Sequence, residues 1–132
     1  MILIINSFNT NTPKYSTQIT NNINNQQELI TVKGRYVGQA VNGLPEGKGI
    51  AYFNDGERYE GEWRNGKKEG KGIEYYPNGD RYEGDHRNGK KEGKGILYFN
   101  NGDRMMGDYY NDKPIGKHVT LTKNGEVKVN NY

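Results

Sequence analysis

RYEGEWRNGKKEGKGI runs from Arg58 to Ile73, and RYEGDHRNGKKEGKGI follows it from Arg81 to Ile96. The chain says nearly the same sixteen-residue phrase twice, and the spacing extends outward in both directions. Tyr36, Tyr59, Tyr82 and Met105 stand 23 residues apart, with Gly38, Gly61, Gly84 and Gly107 in the same register. The pair Gly47/Gly49 recurs as Gly70/Gly72 and Gly93/Gly95, then decays to Gly116/His118. A glycine closes each unit at Gly56, Gly79, Gly102 and Gly125. A fixed period carried by this many positions is the signature of a repeat array.

Within one unit, RYEGEWR alternates large and polar residues, the period of a half-buried strand. NGKKE follows as a turn around Asn-Gly, GKGIEYY reads as a second strand, and PNGD turns into the next unit. Two strands and two turns consume the period and leave nothing for a helix. The expected fold is therefore all-β: an elongated single-layer antiparallel meander of β-hairpin repeats. Eight strands at about 4.8 Å each would span roughly 35 Å. Such a sheet has no second layer, so stacking between units must hold it together. The phase gives the columns: Tyr36, Tyr59, Tyr82, Met105; then Ala40, Trp63, His86, Tyr109; then Phe53, Tyr76, Phe99, Thr122. A ring facing a residue without a side chain fills a thin core compactly, so the Gly-x-Gly strand is expected opposite the Tyr/Trp strand. The other face carries Glu60 and Glu62, and a recurring Lys-Ile-Tyr set such as Lys71/Ile73/Tyr75. It reads either as a solvated face of cross-strand charge pairs or as a ladder that receives a partner.

Composition agrees with a thin core. Only 31% of the 132 residues are hydrophobic, yet the formal net charge is just +3 and eleven tyrosines supply apolar area. Cysteine is absent, which excludes disulfides, thiolate metal sites and a cysteine nucleophile. The opening MILIINSF is too short and lacks the basic lead of a signal peptide, and no run approaches a membrane span. A cytoplasmic location, or one peripheral to a membrane or cytoskeletal structure, is expected. All 19 glycines lie between Gly34 and Gly125. The Asn/Thr-rich, nearly uncharged residues 1–27 read as a flexible lead. Residues 28–132 read as the array: a capping strand near 28–35, units at 36–58, 59–81, 82–104 and 105–126, and a terminal strand at 127–132.

The pattern YxGxWxxGKxxGxG, present as YEGEWRNGKKEGKG from Tyr59 to Gly72, closely resembles the MORN repeat. YEGDHRNGKKEGKG (Tyr82–Gly95) resembles it too, with YVGQAVNGLPEGKG (Tyr36–Gly49) and MMGDYYNDKPIGKH (Met105–His118) as looser copies. The resemblance implies an elongated, non-catalytic array that binds proteins and, in some members of the family, phospholipids. The departures are a single tryptophan, Trp63, and a fourth copy that has lost Tyr and its second Gly. That copy, followed by VTLTKNGEVKV, reads as a worn terminal cap.

The catalytic inventory is poor. Ser7 and Ser16 have no histidine near them in sequence, while His86 and His118 stand at structural columns. No cluster has metal-ligand spacing. Glu60/Glu62 and Glu83/Asp85 recur with the repeat, whereas a catalytic pair is built once. GKKEGKG lacks the GK[ST] ending and following helix of a phosphate loop. Neither an enzyme nor a cofactor is expected. Two binding readings remain. In one, a helix or extended peptide docks on the sheet through Tyr59, Trp63, Tyr82 and Tyr109 as rigid anchors. In the other, Lys67, Lys68, Lys71, Lys90, Lys91 and Lys94 meet an anionic phospholipid surface. Interleaved Glu and Lys disfavour nucleic acid.

Overall fold

Alternation along the chain becomes strands nearly everywhere. The computed structural model describes residues 26–132 and, ahead of them, only the backbone of residues 3–4, 15–16 and 18–19. Those early pieces are β1 (Leu3–Ile4), β2 (Tyr15–Ser16) and β3 (Gln18–Ile19). Gln26 and Gln27 of the segment read as a flexible lead are also described, Gln27 opening β4, and the rest of it lies outside the described residues. Ten longer strands follow: β4 (Gln27–Thr31), β5 (Gly34–Val41), β6 (Leu44–Phe53), β7 (Arg58–Arg64) and β8 (Lys67–Tyr75). The series continues with β9 (Arg81–Arg87), β10 (Lys90–Tyr98), β11 (Arg104–Tyr110), β12 (Lys113–Leu121) and β13 (Val127–Asn131). From β4 to β13 each strand pairs with the next, and β2 adds an edge beyond β4. The all-β, elongated antiparallel meander is thus the observed fold, an open sheet rather than a closed barrel.

Two kinds of turn set the period. The hairpin turns at Asn65–Gly66 and Asn88–Gly89 place both residues at positive φ, between 48° and 85°. That is the two-residue turn whose twist matches its strands, and Asn-Gly tolerates it best. In the last hairpin Asp112 takes the glycine's place at φ 68°. The wider turns between units are closed by pairs such as Tyr76 N–H to Asp80 O at 3.0 Å and Gly79 N–H to Tyr76 O at 3.0 Å. Each turn also leans on its neighbour. Glu46 and Glu69 accept from the N–H groups of Asn65 and Asn88, at 2.8 and 3.1 Å. Asp80 accepts from Asn100 N–H at 2.8 Å on the opposite edge. Glu69, inside the first GKKEG, therefore caps the following turn, while Glu92 of the second copy pairs with Arg87 instead.

The core is a line of rings over glycines. Gly61 and Gly72 pair directly, and a Cβ on Gly72 would collide with the Tyr59 ring. Tyr36 lies over Gly49 and Tyr82 over Gly95 in the same way. The Tyr59 hydroxyl donates to Glu62 O at 3.0 Å, as Tyr36 does to Gln39 O. Between these tyrosines stand Trp63, His86 and Tyr109. The result is one edge-to-face chain of eight rings, Tyr36, Trp63, Tyr59, His86, Tyr82, Tyr109, His118 and Tyr132, with centroids 5.0–5.4 Å apart. Each such contact contributes about 0.5–1.5 kcal/mol beyond the area it buries.

The fourth unit is not simply worn. Met105 has replaced the tyrosine of β11, but His118 has replaced the glycine of β12, and its imidazole lies over Gly107. Its Nε2–H donates to Asp108 O at 2.8 Å. Asp108 stands at the same phase as Gln39 and Glu62, so the histidine makes the tyrosine's hydrogen bond from the opposite strand. The ring has moved to the other strand and covers the glycine left on the first.

Candidate functional site

Tyr59, Trp63, Tyr82 and Tyr109 are brought together, but they are closed in at 0%, 8%, 0% and 5% exposure. Edge-to-face packing explains how a single layer hides them: neighbouring rings cover both flanks, and glycine backbone lies beneath. The docking role assigned to them from sequence required an open aromatic face, and that face is taken up by cohesion. Burial pushes the phenols of Tyr36, Tyr59 and Tyr82 well above their ordinary range and that of Tyr109 up to about 12.

The six lysines do not form one surface, because consecutive side chains alternate across a strand. Lys67 and Lys90 are exposed beside the Asn-Gly turns, and Lys90 donates to Asn111 Oδ1 at 2.6 Å. Lys71 and Lys94 lie on the face away from the rings, paired with Asp85 and, at 2.9 Å, with Asp108. Lys68 and Lys91 turn to the ring face, their side chains only 16% and 17% exposed.

Those last two converge on Glu74, a residue the sequence reading passed over. Glu74 Oε1 accepts from Lys68 Nζ at 2.7 Å and His86 Nε2 at 3.1 Å; Oε2 takes Lys91 Nζ at 3.1 Å and the Tyr76 hydroxyl. Burial alone would raise this carboxyl, but hydrogen bonds from His86, the Lys68 charge and the Tyr76 hydroxyl outweigh it and hold it well below the usual carboxylate range. The signal was present as a break in one column, Ala51, Glu74, Leu97, Thr120. The cluster joins the second and third units; its carboxylate is saturated, so it is a clasp rather than a reactive centre.

The opposite face is open. A groove of about 1310 Å³ crosses the strands from Val37 to Val119. Three rows line it or border it, as the register dictates. The first alternates charge, with Lys48 opposite Glu62, Lys71 opposite Asp85 and Lys94 opposite Asp108. The middle alternates isoleucine and carboxylate: Ile50, Glu60, Ile73, Glu83, Ile96, closing on Met106 and Val119. The third alternates arginine and tyrosine, with Arg35, Arg58 and Arg81 stacked on Tyr52, Tyr75 and Tyr98 at 4.8, 3.9 and 4.2 Å. The Lys-Ile-Tyr ladder was legible in the sequence. The arginine row was missed, although Arg35, Arg58, Arg81 and Arg104 keep the same 23-residue phase. Among the described residues no three His, Cys, Asp or Glu side chains are placed to share a metal ion.

The MORN repeat profile matches residues 36–58, 59–81 and 82–104, just over half of the chain. No curated protein matches it. The matched spans are the first three hairpin units, and the fourth, with its ring on the other strand, lies beyond them. On the strength of three tandem matches and the hairpin array that carries them, the chain belongs to the MORN repeat family, whose arrays serve as non-catalytic scaffolds for protein interaction.

Proposed function

We propose that this scaffold docks a protein segment along the groove face. The observation that supports it is the contrast between the faces: the ring face is closed over Tyr59, Tyr82 and Tyr109 by its own stack, while the groove is open across the repeats and has a mid-line of isoleucines alternating with carboxylates. The segment that fits is an amphipathic helix lying across the strands. Two strands advance about 9.6 Å and a heptad of helix about 10.5 Å, so one apolar residue per heptad meets each of Ile50, Ile73 and Ile96. Basic residues half a heptad on would meet Glu60 and Glu83, and acidic residues along one flank would meet the stacked arginines.

The test is capture by wild type and by Ile73→Asp/Ile96→Asp. Loss of a retained protein in the double variant, with near-ultraviolet circular dichroism unchanged, supports groove docking. Retention would remove the groove from the reading. A second reading, attachment to an anionic lipid surface, rests on the exposed turn edge of Lys67, Lys90 and Lys113. At about 1 kcal/mol per lysine that contact is weak and salt-sensitive. Sedimentation with phosphatidylserine vesicles that survives Lys67→Glu/Lys90→Glu/Lys113→Glu would eliminate it.

A further inference from the structure

The ring face opens at the first unit, and the repeat indicates what belongs there. A cavity of about 260 Å³ lies at the first unit, lined by Leu29, Tyr36, Ala51, Phe53 and Trp63. Most residues around Glu74 have an equivalent here one period earlier: Tyr59 becomes Tyr36, Tyr76 becomes Phe53, His86 becomes Trp63 and Lys91 becomes Lys68, while the position of Lys68 is taken by Pro45, so one lysine serves here where two serve Glu74. The correspondence is geometric. Lys91 lies over the Tyr76 and Tyr82 rings at 5.1 and 5.0 Å, and Lys68 over the Phe53 and Tyr59 rings at 5.4 and 5.1 Å. In the later unit the lysine reaches back to Glu74; in the earlier one the same position is Ala51, and a carboxylate is missing. Lys33, Lys67 and Lys68 line this cavity, and no Asp or Glu does among the described residues.

We propose that the cavity at Ala51 is a binding site for a hydrophobic monocarboxylate. The acid's carboxylate takes the place of the absent glutamate on Lys68, and its apolar body lies among Tyr36, Phe53 and Trp63. Lys68 has three N–H donors and gives one to Glu74 at 2.7 Å, so it can serve both carboxylates. The surroundings are more apolar than at Glu74, since Phe53 lacks the hydroxyl of Tyr76 and the Trp63 indole N–H already donates to Gly49 O at 3.1 Å. An apolar cavity of roughly 150 Å³ holds benzene, so this one accommodates an aryl ring with a short stem. The same chemistry is offered by a free arylalkyl acid and by a peptide ending in a hydrophobic residue with a free carboxylate.

Trp63 is the single tryptophan and lines the cavity, so its indole N–H resonance reports on the site without labels elsewhere. The full chain is titrated with 3-phenylpropionate, with 3-phenylpropanamide, and with a pentapeptide ending in Phe as free acid or amide. The expected result is a saturable shift with a carboxylate probe and none with its amide. It should vanish in Ala51→Leu, which fills the cavity with the residue that Leu97 supplies in the third unit. It should weaken about tenfold or more in Lys68→Met. A response to the free acid assigns a small-molecule ligand; one confined to the peptide acid assigns a chain terminus. Equal binding of acid and amide, a shift that persists in folded Ala51→Leu, or no shift with any carboxylate would overturn the proposal.

Discussion

Gly72 shows what a single residue does here. It is required by space: a Cβ would enter the Tyr59 ring, which is pinned between Trp63 and His86. Gly89 is required only by its backbone, at φ 85° with nothing within 4 Å of a Cβ. Gly72→Ala should therefore cost about 3 kcal/mol in urea unfolding and Gly89→Ala only about 1 kcal/mol. The ring's move from the Met105 to the His118 position makes a sharper test. Met105→Tyr alone forces a second ring toward Gly107, and His118→Gly alone leaves that glycine uncovered. Together they rebuild the arrangement of Tyr82 over Gly95. A double-mutant cycle should show favourable coupling of about 1–3 kcal/mol; additive losses would mean the two positions do not exchange roles.

Between elements, Glu74 ties β8 to β9 and β10. Glu74→Gln leaves Lys68 and Lys91, both mostly shielded from water, without their counter-charge and should destabilise by about 2–3 kcal/mol at pH 7. The sign of the pH dependence follows from the carboxyl being held below its ordinary value of about 4.3. Its stabilisation is complete above that value and is lost as pH falls through the depressed one. Denaturant midpoints should therefore fall between about pH 5 and pH 2 more steeply for wild type than for Glu74→Gln. The phenols act in the opposite sense. Raised in the folded protein, they stabilise it fully below about pH 10 and progressively less above, as unfolded tyrosines ionise first.

Over the whole molecule, stability in a repeat array is a sum of units and the interfaces between them. The central units have both neighbours, the fully buried Tyr59 and Tyr82, and the clasp. Every residue of β13 is exposed. Amide hydrogen exchange should be slowest in β7–β10, at least about tenfold slower than in β12 and β13. Uniform protection from β5 to β13 would mean that the array opens as one cooperative block.

Much of this was legible before any coordinates. Hairpins, their antiparallel order and the pairing of rings with glycines follow from a two-residue alternation inside a 23-residue period, because strand propensity, Asn-Gly turns and Cβ clashes are local. The turn glutamate and the arginine row carried the same phase and could have been read. Which aromatic side chains are closed off and which lie beside the groove could not. Tyr59 and Tyr75 are the same residue type on successive strands, yet one is sealed between Trp63 and His86 and the other lies under Arg58 beside the groove. Lys68 and Lys71 sit in one turn phrase and end on opposite faces. The sequence alone determined the repeat and its fold; the meander decided which face is closed. Closure depends on distances between residues about 23 apart, and those exist only once the strands lie side by side.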